Sequence, residues 1–261
     1  MLRFRSLGSG STGNATLIEA SGSSGATPRP LLMDCGFGIR QSAALLGRAR
    51  LGYGDIDDIF ITHEHSDHVG CVQAFAVRHR VPVWMSDGTY DAIGTGFRRP
   101  AAPSARRRDD RLLWRLRGPA LHRAARCAPA AAPGVRRRRR PPGPANRPGP
   151  CAGRRAGATG RLPGALLLES NHDSELLANG PYPHFLKRRV GGAYGYLSNA
   201  ASADLARAVQ HVGLRRVVAA HLSERNNRPE LAQTALAAAL GWETVQVNVA
   251  SAAMGTDWFV V

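Results

Sequence analysis

The sequence predicts an α/β layered protein. Short apolar strands alternate with amphipathic helical stretches on both sides of an anomalous middle. The 261 residues are 43% hydrophobic and 21% charged, enough to bury a real core and too apolar for a wholly disordered chain. There is no internal repeat of fixed period, which leaves open that the two flanks are similar halves.

Leu2–Leu7 reads as the first strand, followed by a small-residue turn over Ser6–Asn14. Ala15–Ala20 and Pro30–Cys35 read as the next strands, joined by a Gly/Ser/Pro hairpin loop. Ile39–Arg48 fits an amphipathic helix. Ile56–Thr62 is an apolar, buried strand that runs straight into His63-Glu64-His65-Ser66-Asp67-His68-Val69-Gly70. Val69–Arg80 suits a helix and Val81–Ser86 a strand. The pattern resumes with a strand at Leu166–Ser170, a helix at Ala203–Val212 and a strand at Arg216–Ala220 that ends in His221. An Ala-rich helix at Glu230–Leu240 and terminal strands at Val245–Val249 and Trp258–Val261 complete it.

The net charge of +16 belongs to one segment. Residues 98–164 hold 19 Arg, 14 Ala, 11 Pro and 8 Gly, with Asp109 and Asp110 as the only acids, so this window carries +17 and the rest of the chain −1. Nucleic-acid affinity of the remainder cannot be argued from net charge. No run approaches the roughly 18 apolar residues of a membrane span, and Met1–Arg5 lacks the apolar stretch of a signal peptide. Four cysteines in a chain of this size are no disulfide framework, so a reducing cytoplasmic setting and no membrane partner are expected.

His63-x-His65-x-Asp67-His68 packs four metal-binding side chains into six residues at a strand end. Along an extended loop His63 and His65 can face one ion; as the chain turns into the next helix, Asp67 and His68 can face a second. Imidazole nitrogen and carboxylate oxygen suit zinc and similar divalent ions. Two ions about 3.5–4 Å apart can activate a water nucleophile and clamp substrate oxygens. A polar loop with satisfied histidines would not need this density of ligands directly after an apolar strand.

This motif resembles the signature of metallo-β-lactamase-fold metallohydrolases. Ser6–Ala15, Glu169-Ser170-Asn171-His172-Asp173, Leu197-Ser198-Asn199 and Ala220–Asn227 resemble the YycJ/WalJ-like, exonuclease-like branch, over about 1–97 and 165–261. The resemblance implies a four-layer αββα sandwich forming a single domain over 1–261, interrupted by the aberrant segment 98–164, which is expected to be disordered or misfolded. It implies two divalent ions, Zn or Mn, with His63 and His65 on the first and Asp67, His68 and His221 on the second. Asp34 would orient a ligand histidine or the motif loop from behind, and Glu169 and Asp173 would act in the same outer layer, in a motif that either contacts substrate or shapes its loop. Asp67, His172 and Tyr196 would take part in the chemistry, with nucleic acid as substrate. For His79, His184 and His211 a surface position is expected, and Ser66 is a spacer within the motif.

Two departures matter. The family has His where this chain has Tyr196; a phenol with pKa about 10 donates a hydrogen bond but shuttles no proton near neutral pH. The family also has a ligand His in a Pro-His-Asp-Ala context and a bridging Asp in Thr-Asp-x-Gly, and residues 98–164 contain neither. Arg, Ala, Pro and Gly have GC-rich codons. Back-translated and shifted by one base, Arg123–Pro129 permits Val-Pro-His-Asp-Ala-Arg, and Ala145–Ala152 permits Leu-Thr-Asp-Leu-Gly-His-Val. Both missing motifs fall in one alternative frame and in family order, which predicts compensating frameshifts near residues 97–100 and 161–165. Five of the seven implied ligands then remain, so metal occupancy at a single site, reduced activity and loss of strands from the second half are expected. The rival reading makes 98–164 a genuine Arg-rich insertion, and the protein a non-catalytic basic nucleic-acid binder. A lactone or thioester hydrolase on the same fold is a third possibility.

Overall fold

β1 (Leu2–Gly10) and β2 (Gly13–Ala20) form an antiparallel hairpin with a tip of only two residues, Ser11 and Thr12. Its Arg3 Nε donates to the buried Glu19 carboxylate across the strands at 2.6 Å. The structure, a computed structural model, describes residues 2–20, 29–93, 164–193 and 195–261. The 21–28 hairpin loop falls outside them, as does all of the 98–164 window except Gly164.

The hairpin lies inside a six-stranded sheet ordered β5-β4-β3-β2-β1-β9. β3 (Arg29–Met33) pairs antiparallel with β2, then β4 (Asp58–Phe60) and β5 (Val83–Trp84) add in parallel. β9 (Phe259–Val260) closes the other edge against β1. Helix α1 (Ile39–Arg48) crosses from β3 to β4. Between β4 and β5 lie α2 (Ser66–Val69) and α3 (Val72–His79), and α4 (Asp87–Ile93) follows β5. The second sheet is parallel, ordered β6-β7-β8, from Ala165–Glu169, Arg216–Ala220 and Val247–Val249. Its helices are α5 (Ser174–Asn179), α6 (His184–Val190), α7 (Asn199–Val209) and α8 (Pro229–Leu240).

Three apolar clusters make four layers. Leu45 and Leu46 of α1 and Val72 and Phe75 of α3 pack on Leu17, Leu32 and Ile59 of the first sheet. Phe4 and Ile18 of that sheet meet Leu167, Val218 and Ala220 of the second, with the Phe4 and Phe259 rings 5.4 Å apart. On the far side Ala206 of α7 and Ala232, Leu236 and Leu240 of α8 cover Val217 and Ala219. The order is helix, sheet, sheet, helix, as the α/β sandwich expectation has it. Among the described residues no helix is long and apolar enough to cross a membrane.

Several elements differ from their sequence patterns. Most of the Ser6–Asn14 turn is strand, because small residues also suit a strand crowded on both faces; a Cβ on Gly13 would lie 2.4 Å from the Phe37 ring. The helix expected over Val69–Arg80 is broken in two at Gly70, whose φ of 34° lies outside the helical region. Val245–Val249 begins with a 3₁₀ turn at Thr244–Gln246 before it becomes strand. Helices α4, α5 and α6 were not legible as separate periodic stretches because each is only six or seven residues long.

Candidate metal centre

The carboxyl ends of β3, β4, β6 and β7 bring the chemistry-bearing residues together, the usual place for a site in parallel sheets. Asp34 follows β3 in the left-handed region, φ 61°, a conformation that costs a non-glycine residue energy and is held here by its contacts. Its buried carboxylate accepts from the Thr62 N–H at 2.8 Å and from Thr62 Oγ1 at 2.9 Å, and its Oδ2 lies 2.8 Å from His68 Nδ1. That contact fixes the ring of His68 and leaves Nε2 facing Asp67, 3.5 Å from its Oδ2. Asp34 therefore stands behind His68.

The motif loop is laced to the end of β3 by backbone. His65 caps α2, and its carbonyl accepts from His68 N–H at 2.9 Å. The Cys35 N–H donates to the His68 carbonyl at 2.8 Å, and the Cys71 N–H to the Cys35 carbonyl at 3.1 Å. Gly36 sits so close that a Cβ there would lie 1.7 Å from the Asp67 carbonyl oxygen. The Cys35 and Cys71 sulfurs are 3.4 Å apart as free thiols beneath the loop.

His221 arrives from the other sheet. It too is left-handed, φ 58°. Its N–H donates to Ser9 Oγ at 2.8 Å, and its carbonyl accepts from Asn171 Nδ2 at 3.0 Å. The ring lies between two carboxylates: Nδ1 is 3.4 Å from Glu169 Oε1, and Nε2 is 3.3 Å from Asp67 Oδ2. Ser9 Oγ donates in turn to Asn14 Oδ1 at 3.0 Å, and Asn14 Nδ2 lies 3.2 Å from Asp67 Oδ2 and 3.3 Å from His68 Nε2. Ser9, Asn14 and Thr62 thus belong to the site. The sequence showed Ser9 and Asn14 only as part of a motif and Thr62 only as the end of a strand.

Coordinating atoms of Asp67, His68 and His221 all lie within 4.8 Å of one another. His221 Nε2 is buried without a hydrogen-bond partner. Two imidazoles and a carboxylate converging around such an atom suit a divalent ion. His63 lies close to His68, with ring centroids 3.9 Å apart and the planes tilted by 45°, and its Nδ1 is 2.9 Å from Thr62 Oγ1. The exposed His65 ring lies 4.7 Å from that of His63. These two flank the three-ligand group without joining it.

Electrostatics follow from burial and neighbours. Burial alone would push His221 down, but the Asp67 and Glu169 carboxylates override it and hold the imidazole up at about 9. Burial would raise Asp67, but His221 and His68 keep its carboxyl below the usual range. His63 is pushed down to about 4 by burial and by His68. Burial lowers His172 against the pull of Glu169 and Asp173. Burial and the Asp67 and Glu169 charges push the Tyr196 phenol up, and Arg189 partly opposes them.

His172 and Tyr196 lie on one side of this group. His172 is buried, its carbonyl accepting from Asn199 N–H at 2.8 Å, and its Nδ1 has no partner. The Tyr196 ring lies edge-on, 5.2 Å from that of His221. The Asp173 carboxylate accepts from the Glu175 and Leu176 N–H groups, both at 3.0 Å, as the cap of α5. Of the histidines placed at the surface, His184 is exposed, whereas His79 stacks on Tyr53 at 4.8 Å and His211 is half-buried.

Residues 8–161 match the Metallo-beta-lactamase superfamily model. The chain is 28% identical over 248 residues to Exodeoxyribonuclease YycJ of Bacillus anthracis, across 92% of this chain and 89% of that protein. It is 27% identical over 252 residues to Exodeoxyribonuclease WalJ of Streptococcus pneumoniae, across 95% and 91%. Among solved structures, the short form of human tRNase Z aligns with a TM-score of 0.49 at 14% identity, over 99% of both chains. The family match takes in more than half of the sequence, and the chain belongs to the metallo-β-lactamase superfamily.

Proposed function

We propose that this chain is a metal-dependent phosphodiesterase of the 5′-to-3′ exonuclease type, acting on nucleic acid in the cytoplasm and impaired by the loss of two ligands. The convergence of Asp67, His68 and His221 supports it most directly. The exodeoxyribonuclease names of the relatives favour nucleic acid among the superfamily's substrates. These three residues would hold one divalent ion, Zn or Mn, which would supply Lewis acidity and water activation when bound. His63 and His65 alone are too few ligands for a second.

The remaining roles belong to side chains. Asp34 and Glu169 orient His68 and His221 from behind. Tyr196, its phenol pushed up, stays protonated and donates a hydrogen bond to a phosphoryl oxygen. His172, pushed down, is neutral at pH 7 and presents an imidazole to the substrate side. We read 1–261 as one domain and 98–164 as the product of compensating frameshifts; the nucleotide sequence tests this, and a shifted frame without the His and Asp motifs refutes it.

Equilibrium dialysis against Zn or Mn tests the site. One weakly held ion is expected, lost in His221→Ala; two tightly held ions per chain refute the impairment. Residual metal-dependent turnover is expected on 5′-ended DNA, and preference for a lactone or thioester refutes the substrate class. The +17 charge of residues 98–164 favours one second reading, a basic nucleic-acid binder without catalysis.

A further inference from the structure

Helix α6 has a face that the metal centre does not use. Phe185, Arg188 and Arg189 stand at positions i, i+3 and i+4 and share one side of the helix. All three are exposed, the Phe185 ring by 67%. Lys187 donates to the Ala178 carbonyl at 2.6 Å instead. Residues 180–201 contain no Asp or Glu, and among the described residues neither arginine has a carboxylate partner. Lys187, Arg188 and Arg189 in the last turn offset the helix dipole, which accounts for the charges but not for an aromatic ring left in water beside them.

The C-terminal end of α6 abuts the metal centre. The Val190 carbonyl, at the end of α6, accepts from the Tyr196 N–H at 2.9 Å. The Tyr196 ring is the one beside His221, and a Cβ on Gly191 would lie 3.8 Å from His172 Nε2. A strand lying along α6 would therefore run directly into the candidate site.

We propose that this face is the docking platform for single-stranded DNA approaching the site, with Phe185 stacked on a base and Arg188 and Arg189 on neighbouring phosphates. An exposed ring stacks on any base and guanidinium groups track the backbone, so the platform is sequence-tolerant, as an exonuclease requires. The inference rests on the phosphodiesterase reading and names its substrate-binding surface.

The test uses the full chain and a single-stranded oligodeoxynucleotide carrying 5-iodo-2′-deoxyuridine near its 5′ end. The complex is irradiated, digested and mapped by mass spectrometry. A Phe185 adduct is expected that Phe185→Leu removes. At subsaturating oligonucleotide in 0.1 M salt, Arg188→Ala with Arg189→Ala lowers its yield about 25-fold, roughly fivefold for each phosphate no longer neutralised. All three side chains are exposed, so far-UV circular dichroism of the variants stays unchanged. Adducts confined to other residues, those of 98–164 included, overturn the proposal, as does no adduct at all or an arginine variant of unchanged yield. The two readings fail separately. A Phe185 adduct on a chain that prefers lactones sinks the phosphodiesterase and keeps the platform; metal-dependent DNA cleavage with adducts elsewhere does the reverse.

Discussion

Replacing Asp34 tests how the centre is built. Its buried carboxylate accepts from the Thr62 N–H, Thr62 Oγ1 and His68 Nδ1, all at 2.8–2.9 Å. A hydrogen bond to a charged group contributes about 1.5–3 kcal/mol, and an orphaned buried donor costs about 1–3 kcal/mol. Asp34→Asn keeps the shape and tolerates the left-handed backbone, but turns an NH₂ toward one of those donors. A loss of about 2–4 kcal/mol is expected. Asp34→Ala forfeits all three hydrogen bonds and keeps the left-handed penalty of a Cβ, about 1–2 kcal/mol, which Asp34→Gly escapes. Glycine should therefore be the milder of the two although it is the smaller side chain. Because His68 is no longer oriented, metal affinity should fall about 10–100-fold in each variant. Urea unfolding gives the stabilities and metal titration the affinities. Asp34→Asn within about 1 kcal/mol of the parent, with affinity unchanged, would refute this account of the centre.

Other outcomes follow from the same geometry. In chelator, His221 is held at about 9 against an ordinary 6.5, so its contribution, up to about 3 kcal/mol, is complete below pH 6.5 and lost as pH rises through 9. His63, depressed to about 4, acts oppositely: the unfolded chain binds its proton first, so stability falls as pH drops from 6.5 toward 4. The urea midpoint of the metal-free chain should thus peak near pH 6.5; a steady rise to pH 9 would contradict the His221 assignment, and a flat midpoint between pH 4 and 6.5 the His63 assignment. Gly36→Ala forces a methyl onto the Asp67 carbonyl and should cost about 3 kcal/mol or more, read as a lowered melting temperature; an unchanged value would mean that the loop moves freely away from β3. Deleting residues 98–164 should abolish salt-sensitive, sequence-independent DNA binding if the basic-binder reading holds, and leave metal binding by Asp67, His68 and His221 intact in either case.

The candidate ligands were easier to read from the sequence than the residues that surround them. His63, His65, Asp67 and His68 are close in the chain, so their spacing carries the signal. His221 was legible because it ends an apolar strand. Ser9 and Asn14 are different: each is a small polar residue in a strand and hairpin, and nothing local says that one will accept from His221 and the other reach Asp67. Those contacts exist only once two sheets are stacked. The break at Gly70 was hidden because apolar periodicity runs across it, and what stops the helix is its close approach to the Gly36 backbone. Asp173 lies in a motif that left substrate contact and loop structure both open, and its carboxylate caps α5.

Asp67 and His68 hang from one sheet of the sandwich, and His221 and Glu169 from the other. A cation gripped between them would be a rivet through the seam, adding about 2.7 kcal/mol at a hundredfold excess over its Kd. Chelation should then loosen the join before it melts either leaf. Amides of β6, β7 and β8 would exchange with deuterium sooner than those of the β1–β2 hairpin, whose strands are zipped to each other whether or not the rivet is in place.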